Sequence, residues 1–376
     1  MTKLLLPRAN AREAGAVEGV EILGAETPGE VLEHLSGECA IGPTRLNIAR
    51  LLERPPARQP DLSEVRGQQF AKRALEIAAA GGHNLLLIGP PGPGKTMLAR
   101  RLPGILPPLT VAESIDITKV HSVAGLVPAG GALVAQRPFR SPHHTASDAG
   151  LVGGGAISRP GEVSLAHHSV LFLDELPEYR RSVLEALRQP MEDGVVTHSR
   201  ARSTLQYPAR FMRAAAMNPC PCGLYGVEGD RCTCDPAAVA RYRSRVSGPL
   251  WDRIDLHIEV PAVLVEDLRA TGSAEPSINR VTAARERQHR RFRRTPDVGA
   301  NSHMGPREIR RWCALDDASA RILGQAMIRL ALSARAHDRV LKVARTIADL
   351  GGADRLSTHH VGEAIQYRLL DRSRIG

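Results

Sequence analysis

The chain has 376 residues, 43% of them hydrophobic and 24% charged, which excludes a disordered or fibrous protein and exceeds what one compact domain usually holds. Fifty basic residues against 40 acidic ones give a net charge of +10; nearly all of the basic residues are arginine, and the excess points to a polyanionic partner. No apolar run approaches the roughly 20 residues of a membrane span, and six cysteines without an export signal predict reduced thiols in the cytoplasm, with no membrane partner.

Residues 4–36 read as a strand, a helix start and a short helix ending at Gly37. Residues 53–61, Glu-Arg-Pro-Pro-Ala-Arg-Gln-Pro-Asp, form a Pro-rich polar linker. From Leu62, helical patterns alternate with short, wholly apolar runs at 85–88 and 170–173, as expected of strands buried on both faces of a parallel sheet. Residues 121–165 are rich in Gly, Pro, Ser and His; they read as too polar for a core and too long for an ordinary loop, hence functional or mobile. Residues 263–304 form an Arg-rich connection to a last part, 305–376, with helical periodicity and almost no strand signal. The expected fold is a three-layer α/β core over 62–262, followed by a small helical lid.

Residues 85–98 spell a buried strand, a Gly-rich loop and a helix start. The loop Gly89-Pro90-Pro91-Gly92-Pro93-Gly94-Lys95-Thr96, followed by Met97, fits the complete G-x-x-x-x-G-K-T phosphate-loop pattern. Glycines let backbone N–H groups turn inward around phosphate oxygens, and the helix N-terminus adds a positive dipole. Lys95 would reach the β and γ phosphates of ATP, and the Thr96 hydroxyl would ligate Mg²⁺. Val170-Leu-Phe-Leu-Asp174-Glu175 ends a buried strand in two carboxylates, so Asp174 can orient the Mg²⁺ and Glu175 can polarise the attacking water. A third strand, about 211–217, ends at Asn218, whose amide can hold that water in line.

This order of phosphate loop, Asp-Glu strand, strand-end Asn and helical lid resembles the AAA+ ATPases. More narrowly, it resembles the magnesium-chelatase-like ComM/YifB family through Pro138-Phe-Arg-Ser-Pro-His-His-Thr145, the run from Arg159 to His168, Asn218-Pro-Cys-Pro-Cys-Gly223, the run from Ser247 to His257, and Leu341 to Asp349. The likeness spans about residues 60–372. It implies that Arg253 is an arginine finger reaching a neighbour's γ phosphate and Arg335 a second sensor in the lid, with Arg339 the competing choice. It also implies that Gly67-Gln68 lies near adenine, and that the chain works as a ring, a homo-oligomer of six. Members of the family carry a Lon/S5-like domain before the motor. Residues 1–40 resemble only its last strand and helix, with 41–61 as linker, so a shortened front end is expected.

Cys220, Cys222, Cys232 and Cys234 form two C-x-C pairs within 220–234. Side chains two apart in extended backbone point the same way, so four thiolates could close a structural Zn²⁺ site; a redox-sensitive pair and free thiols are the alternatives. Cys39 and Cys313 are isolated and read as packing residues. His143-His144 and His167-His168 argue against a shared metal, because adjacent side chains in extended chain point apart. In the resembling family the first pair lies in inserts facing the ring channel, where Arg137, Arg140, His143 and His144 would meet a polyanion's backbone. Residues 280–294 hold seven arginines, and on a helix Arg287, Arg291 and Arg294 would share one face and offer further DNA contacts. The expected function is an ATP-driven motor on single-stranded or branched DNA, a branch-migration helicase in recombination or natural transformation. The alternatives are a chelatase-type motor subunit that remodels a metal-insertion partner, and an inactive nucleotide-binding scaffold.

Overall fold

The structure, a computed structural model, describes residues 2–16, 19–46, 60–92, 94–127, 133–155, 158–200, 203–226, 232–261, 277–295 and 298–370. Pro93, linker residues 53–59 and residues 263–276 lie outside them. At the front, β1 (Thr2–Pro7) and β2 (Val20–Ala25) pair in parallel through the helix Arg8–Ala14. The helix Pro28–Ser36 follows and ends at Gly37 in the left-handed region, φ 84°. The strand β2 is present beyond what the sequence pattern suggests, and the helix start is a complete helix.

The main sheet is built from β3 (Leu85–Ile88), β4 (Phe139–Arg140), β7 (Val170–Leu173), β10 (Met212–Met217) and β11 (Leu256–Glu259), in the order β11-β3-β10-β7-β4. All four pairings are parallel. Every residue of β3, β7 and β10 is buried, because both faces are covered. Leu85, Leu87, Val170, Phe172, Ala214 and Ala216 turn to one side, into a core shared with the helix Gln69–Gly81. Leu86, Ile88, Leu171, Leu173, Ala215 and Met217 turn to the other, against Leu176, Val183, Leu184, Leu250 and Trp251. This period-two division of unbroken apolar runs makes the three layers.

Between β4 and β7, β5 (Gly153–Gly154) and β6 (Arg159–Pro160) form a short antiparallel pair, and β8 (Val195–Arg200) and β9 (Ser203–Pro208) form a hairpin before β10. The 121–165 segment is not excluded from the core: it supplies the edge strand β4, and its Leu151 and Val163 are fully buried. Its glycines and serines mask the few apolar residues that do the packing.

The helix Ser277–Phe292 lies in the stretch read as a connection, yet Val281, Ala284 and Phe292 enter the same core as Val340, Val343 and Ala344 of the helix Ala334–Leu350. The helices Pro306–Trp312, Asp317–Arg329 and Thr358–Gln366 complete this C-terminal layer. Polar groups cross the seam: His83 bonds Thr346 Oγ1 at 2.8 Å, and Asp255 accepts from the Asn84 amide at 2.9 Å and from Arg339. No helix among the described residues is long and apolar enough to cross a membrane.

Candidate nucleotide site and cysteine cluster

Parallel register brings the C-terminal ends of β3, β7 and β10 to one edge, and so gathers Gly89, Asp174 and Asn218. Gly89 must be glycine: a Cβ there would lie 2.1 Å from the Val260 carbonyl oxygen at the end of β11. Lys95, 7% exposed, donates to Gly89 O at 2.9 Å, Pro90 O at 2.7 Å and Asn218 Oδ1 at 3.0 Å. Burial lowers its pKa, against the opposing pull of Asp174 and Glu175. Thr96 Oγ1 donates to Asp174 Oδ2 at 2.7 Å, so two hard oxygen donors from different elements meet at one point. That donor pair suits Mg²⁺.

Glu175 adopts φ 51° at the turn after β7, and its exposed carboxylate lies 3.0 Å from His144 Nδ1. His144 therefore turns to the carboxylate that the sequence assigns to water activation, and away from the outward role expected of it. Gly67 and Gln68 are consecutive left-handed residues, φ 63° and 56°, before the helix Gln69–Gly81. Gln68 Nε2 donates to Pro261 O at 2.7 Å, while its Oε1 is buried and without a partner among the described residues.

Arg253 and Arg335 are brought together, but at the opposite end of the sheet. They line one cavity with Asn84, Glu192, Arg339 and Lys342. Asn84 precedes β3 and Gly89 follows it, and four residues at about 3.3 Å each place the cavity roughly 13 Å from the phosphate loop. Arg253 donates to Pro249 O at 2.9 Å and pairs with Glu192. Burial, then Arg188, Arg335 and Arg339, lower its pKa. Arg335 is exposed, whereas Arg339 is held by Asp255.

The sulfurs of Cys220, Cys222, Cys232 and Cys234 all lie within 4.8 Å of one another, with contacts of 3.4, 3.6 and 3.8 Å. A tetrahedral ion with Zn–S near 2.3 Å would set its sulfurs about 3.8 Å apart, so the four thiols fit and could hold zinc. The backbone N–H groups of Leu224 and Thr233, with Cys220 behind them, hold the Cys222 thiol down to about 6. A second group, Asp116, His167 and His168, is also compact. The ring centroids of His167 and His168 lie 3.8 Å apart, tilted by 40°, because His168 takes φ 55°, which overturns the expectation that adjacent histidines point apart. His167 Nδ1 accepts the Arg210 amide at 3.1 Å, so in the neutral ring the proton sits on Nε2 and no lone pair is left for a metal.

Several residues expected to contact DNA are engaged by partners within the chain. Arg137 is half-buried, donating to Pro107 O at 2.7 Å, His168 O and Glu113, because its long side chain bridges loops across the insertion. Arg140 makes a bidentate pair with Glu162 at 2.6 and 2.7 Å. Arg291 is held by Asp349 and Asn301, and Arg287 lies 3.4 Å from Asp354. Arg294 falls beyond the helix end at Phe292, so the shared face of three arginines does not form. Arg294 and His143 are exposed, as are Arg290 and Arg293, which nothing in the sequence distinguishes from the rest of the arginine run. Nothing local in the sequence marks Glu192 as Arg253's partner.

A parallel α/β core with this phosphate loop, paired carboxylates and strand-end amide at one edge, joined to a C-terminal helical region, is that of an AAA+ ATPase. The family described as magnesium chelatase, subunit ChlI, matches residues 61–268, and its C-terminal counterpart matches residues 272–368. The chain is 45% identical over 381 residues to the YifB protein of Escherichia coli, covering 98% of this chain and 72% of that one. It is 44% identical over 380 residues to the competence protein ComM of Haemophilus influenzae, with the same shares covered. The YifB protein of Salmonella typhimurium is 47% identical over 353 residues, 91% of this chain and 67% of its own. The chain belongs to the magnesium-chelatase-like ComM/YifB family.

Proposed function

We propose that this protein is an ATP-hydrolysing ring motor acting on DNA, a branch-migration helicase that serves recombination or natural transformation. The observation that carries it is the meeting of Lys95, Thr96, Asp174 and Asn218 at one sheet edge within bonding distance. Lys95 binds the β and γ phosphates by transferring donors from the loop carbonyls. Thr96 and Asp174 hold Mg²⁺, which supplies neutralisation of charge on the phosphate oxygens. Glu175, once turned from His144, takes a proton from the attacking water, and Asn218 orients that water. Gln68 Oε1 offers an acceptor to the adenine amino group. Arg253 and Arg335 line a cavity at the sheet end opposite their own phosphate loop, which supports a role on a neighbour's γ phosphate in a ring, most simply a hexamer. The cysteine cluster holds one structural Zn²⁺.

DNA as the partner draws support from the net charge of +10 and the exposed Arg290, Arg293 and Arg294. The competence protein among the relatives points the same way. The family match favours a second reading, a chelatase-type motor that remodels a metal-insertion partner. ATPase rates without DNA and with single-stranded, duplex and forked DNA separate the two, alongside a three-strand branch-migration assay. Stimulation by forked DNA with strand movement supports the helicase; a flat rate across all DNA in a ring-forming preparation excludes it.

A further inference from the structure

The cysteine cluster and the phosphate loop are one packed unit. Cys220 stands two residues beyond Asn218, whose Oδ1 takes a Lys95 donor at 3.0 Å. Gly223 adopts φ 83°, and a Cβ there would lie 2.6 Å from Pro91 Cδ and 3.8 Å from Asn218 Cγ. The first C-x-C turn therefore lies directly on the phosphate loop, at a distance that leaves no room for a side chain. The second pair leads into the helix Pro236–Ser244, capped by Asp235, which accepts from the Ala238 amide at 2.6 Å. From this helix Arg243 donates to Pro219 O at 3.2 Å and lies over the Tyr225 ring, and the Tyr225 amide donates to Cys220 Sγ at 3.3 Å. Arg245, at the end of the helix, pairs at 3.0 Å with Glu178, three residues after Glu175. The four sulfurs thus tie the strand-end amide, the phosphate loop and this helix together.

We infer that a Zn²⁺ held by Cys220, Cys222, Cys232 and Cys234 braces residues 218–223 against Pro91, so that metal occupancy sets the affinity of the phosphate loop for a nucleoside triphosphate. The sulfurs of Cys220, Cys222 and Cys232 touch at 3.4–3.8 Å, with that of Cys234 within 4.8 Å of each, and thiols at such distances are joined only by weak S–H interactions. Deprotonated without a metal they repel, whereas a metal turns the same proximity into bonds that contribute directly to local folding. Loss of the ion releases the Gly223 turn, and with it the surface that holds Pro91 and the amide that holds Lys95. The inference rests on residues 89–96 being a nucleotide site.

Coupling between two sites is reciprocal for binding, so the test can be run on the unaltered full chain. Zinc is counted by elemental analysis, and the dissociation constant of a fluorescent ATP analogue is measured on zinc-loaded protein, after chelation under reducing conditions, and after zinc is restored. We expect one zinc per chain and about tenfold weaker nucleotide binding without it, within the usual range for coupled sites, with recovery on re-addition. Saturating nucleotide should tighten zinc by the same factor, read as the equilibrium share taken by a chromophoric chelator. Gly223→Ala gives an independent arm, because it keeps all four thiols but presses a methyl on Pro91: zinc should stay bound while nucleotide affinity falls about tenfold. Substoichiometric zinc overturns the inference. Equal nucleotide affinity with and without zinc, or a chelator equilibrium indifferent to nucleotide, overturns it and leaves the nucleotide site standing. A zinc-loaded protein that binds no nucleotide removes both.

Discussion

Lys95 Nζ lies 3.0 Å from Asn218 Oδ1, closing a bond between residues 123 positions apart in the chain. With Gly89 O and Pro90 O at 2.9 and 2.7 Å, all three ammonium protons have acceptors. On the proposed function a phosphate entering the loop competes for these donors, which assigns the lysine to binding and Glu175, on a separate strand end, to hydrolysis. Lys95→Ala should abolish binding of a fluorescent ATP analogue. Glu175→Gln should bind it normally and hydrolyse ATP about 10²–10⁴-fold more slowly, the usual contribution of a positioned base. Parental turnover by the Glu175→Gln protein would remove the water-activating role.

Arg253 faces a cavity roughly 13 Å from its own phosphate loop, one strand length away. Arg253→Ala and Lys95→Ala chains, each inactive alone, should recover part of the ATPase when mixed, because some interfaces then pair an intact loop with an intact finger. Arginine fingers contribute about 10³–10⁵ in rate, so recovery should be easy to see. Arg335→Ala should behave like Arg253→Ala in the same mixing series, since both line that cavity. No recovery at any ratio, with rings demonstrated by light scattering, would show that Arg253 does not act across the interface.

Arg290, Arg293 and Arg294 are exposed, whereas Arg137, Arg140 and Arg291 are half-buried and paired with Glu113, Glu162 and Asp349. Contacts to phosphates release counterions, with a log–log salt slope of about −0.7 per contact on single strands. Replacing the three exposed arginines by alanine should therefore flatten the slope by about 2, leaving ATPase without DNA unchanged. Replacing Arg137 should instead lower the melting temperature. An unaltered salt slope in the triple variant would place the DNA path elsewhere.

His167 is 4% exposed, and burial, then His168, lower its pKa to about 3; His83, fully buried, is lowered in the same direction. An unfolded histidine titrates near 6.5, so between pH 6.5 and 3 the unfolded chain takes up protons that the folded chain refuses. The stability associated with the neutral ring is complete above pH 6.5 and declines as the pH falls, by up to about 1.4 kcal/mol per pH unit for each histidine. Denaturant titrations at pH 7.5 and 5 should show this loss. His167→Asn, which keeps an acceptor for the Arg210 amide, should reduce it by one histidine's share. An equal slope in the variant would mean that His167 does not titrate as stated.

What the sequence determined by itself is local. Unbroken apolar runs announced strands buried on both faces, the glycine spacing from 89 to 94 announced a phosphate loop, and Asp174-Glu175 at a strand end announced paired carboxylates. Each of these signals lies within a dozen residues, where side-chain type and backbone geometry are directly linked. Even here the low-complexity look of 121–165 concealed β4, Leu151 and Val163, because packing needs only a few apolar residues and composition averages them away.

What only the tertiary structure decided is which charges face each other. Arginine has the same letter whether it meets solvent or a buried carboxylate. The assignment of Arg291 to Asp349, Arg253 to Glu192 and His144 to Glu175 depends on elements 58, 61 and 31 residues away or on turns with positive φ. The contact of Gly223 with Pro91 is of the same kind. Sheet order places β10 between β3 and β7, and only that order sets the cysteine turn after β10 against the loop after β3. Such contacts are set by how strands pair and layers close, long-range packing decisions that leave no periodic trace along the chain.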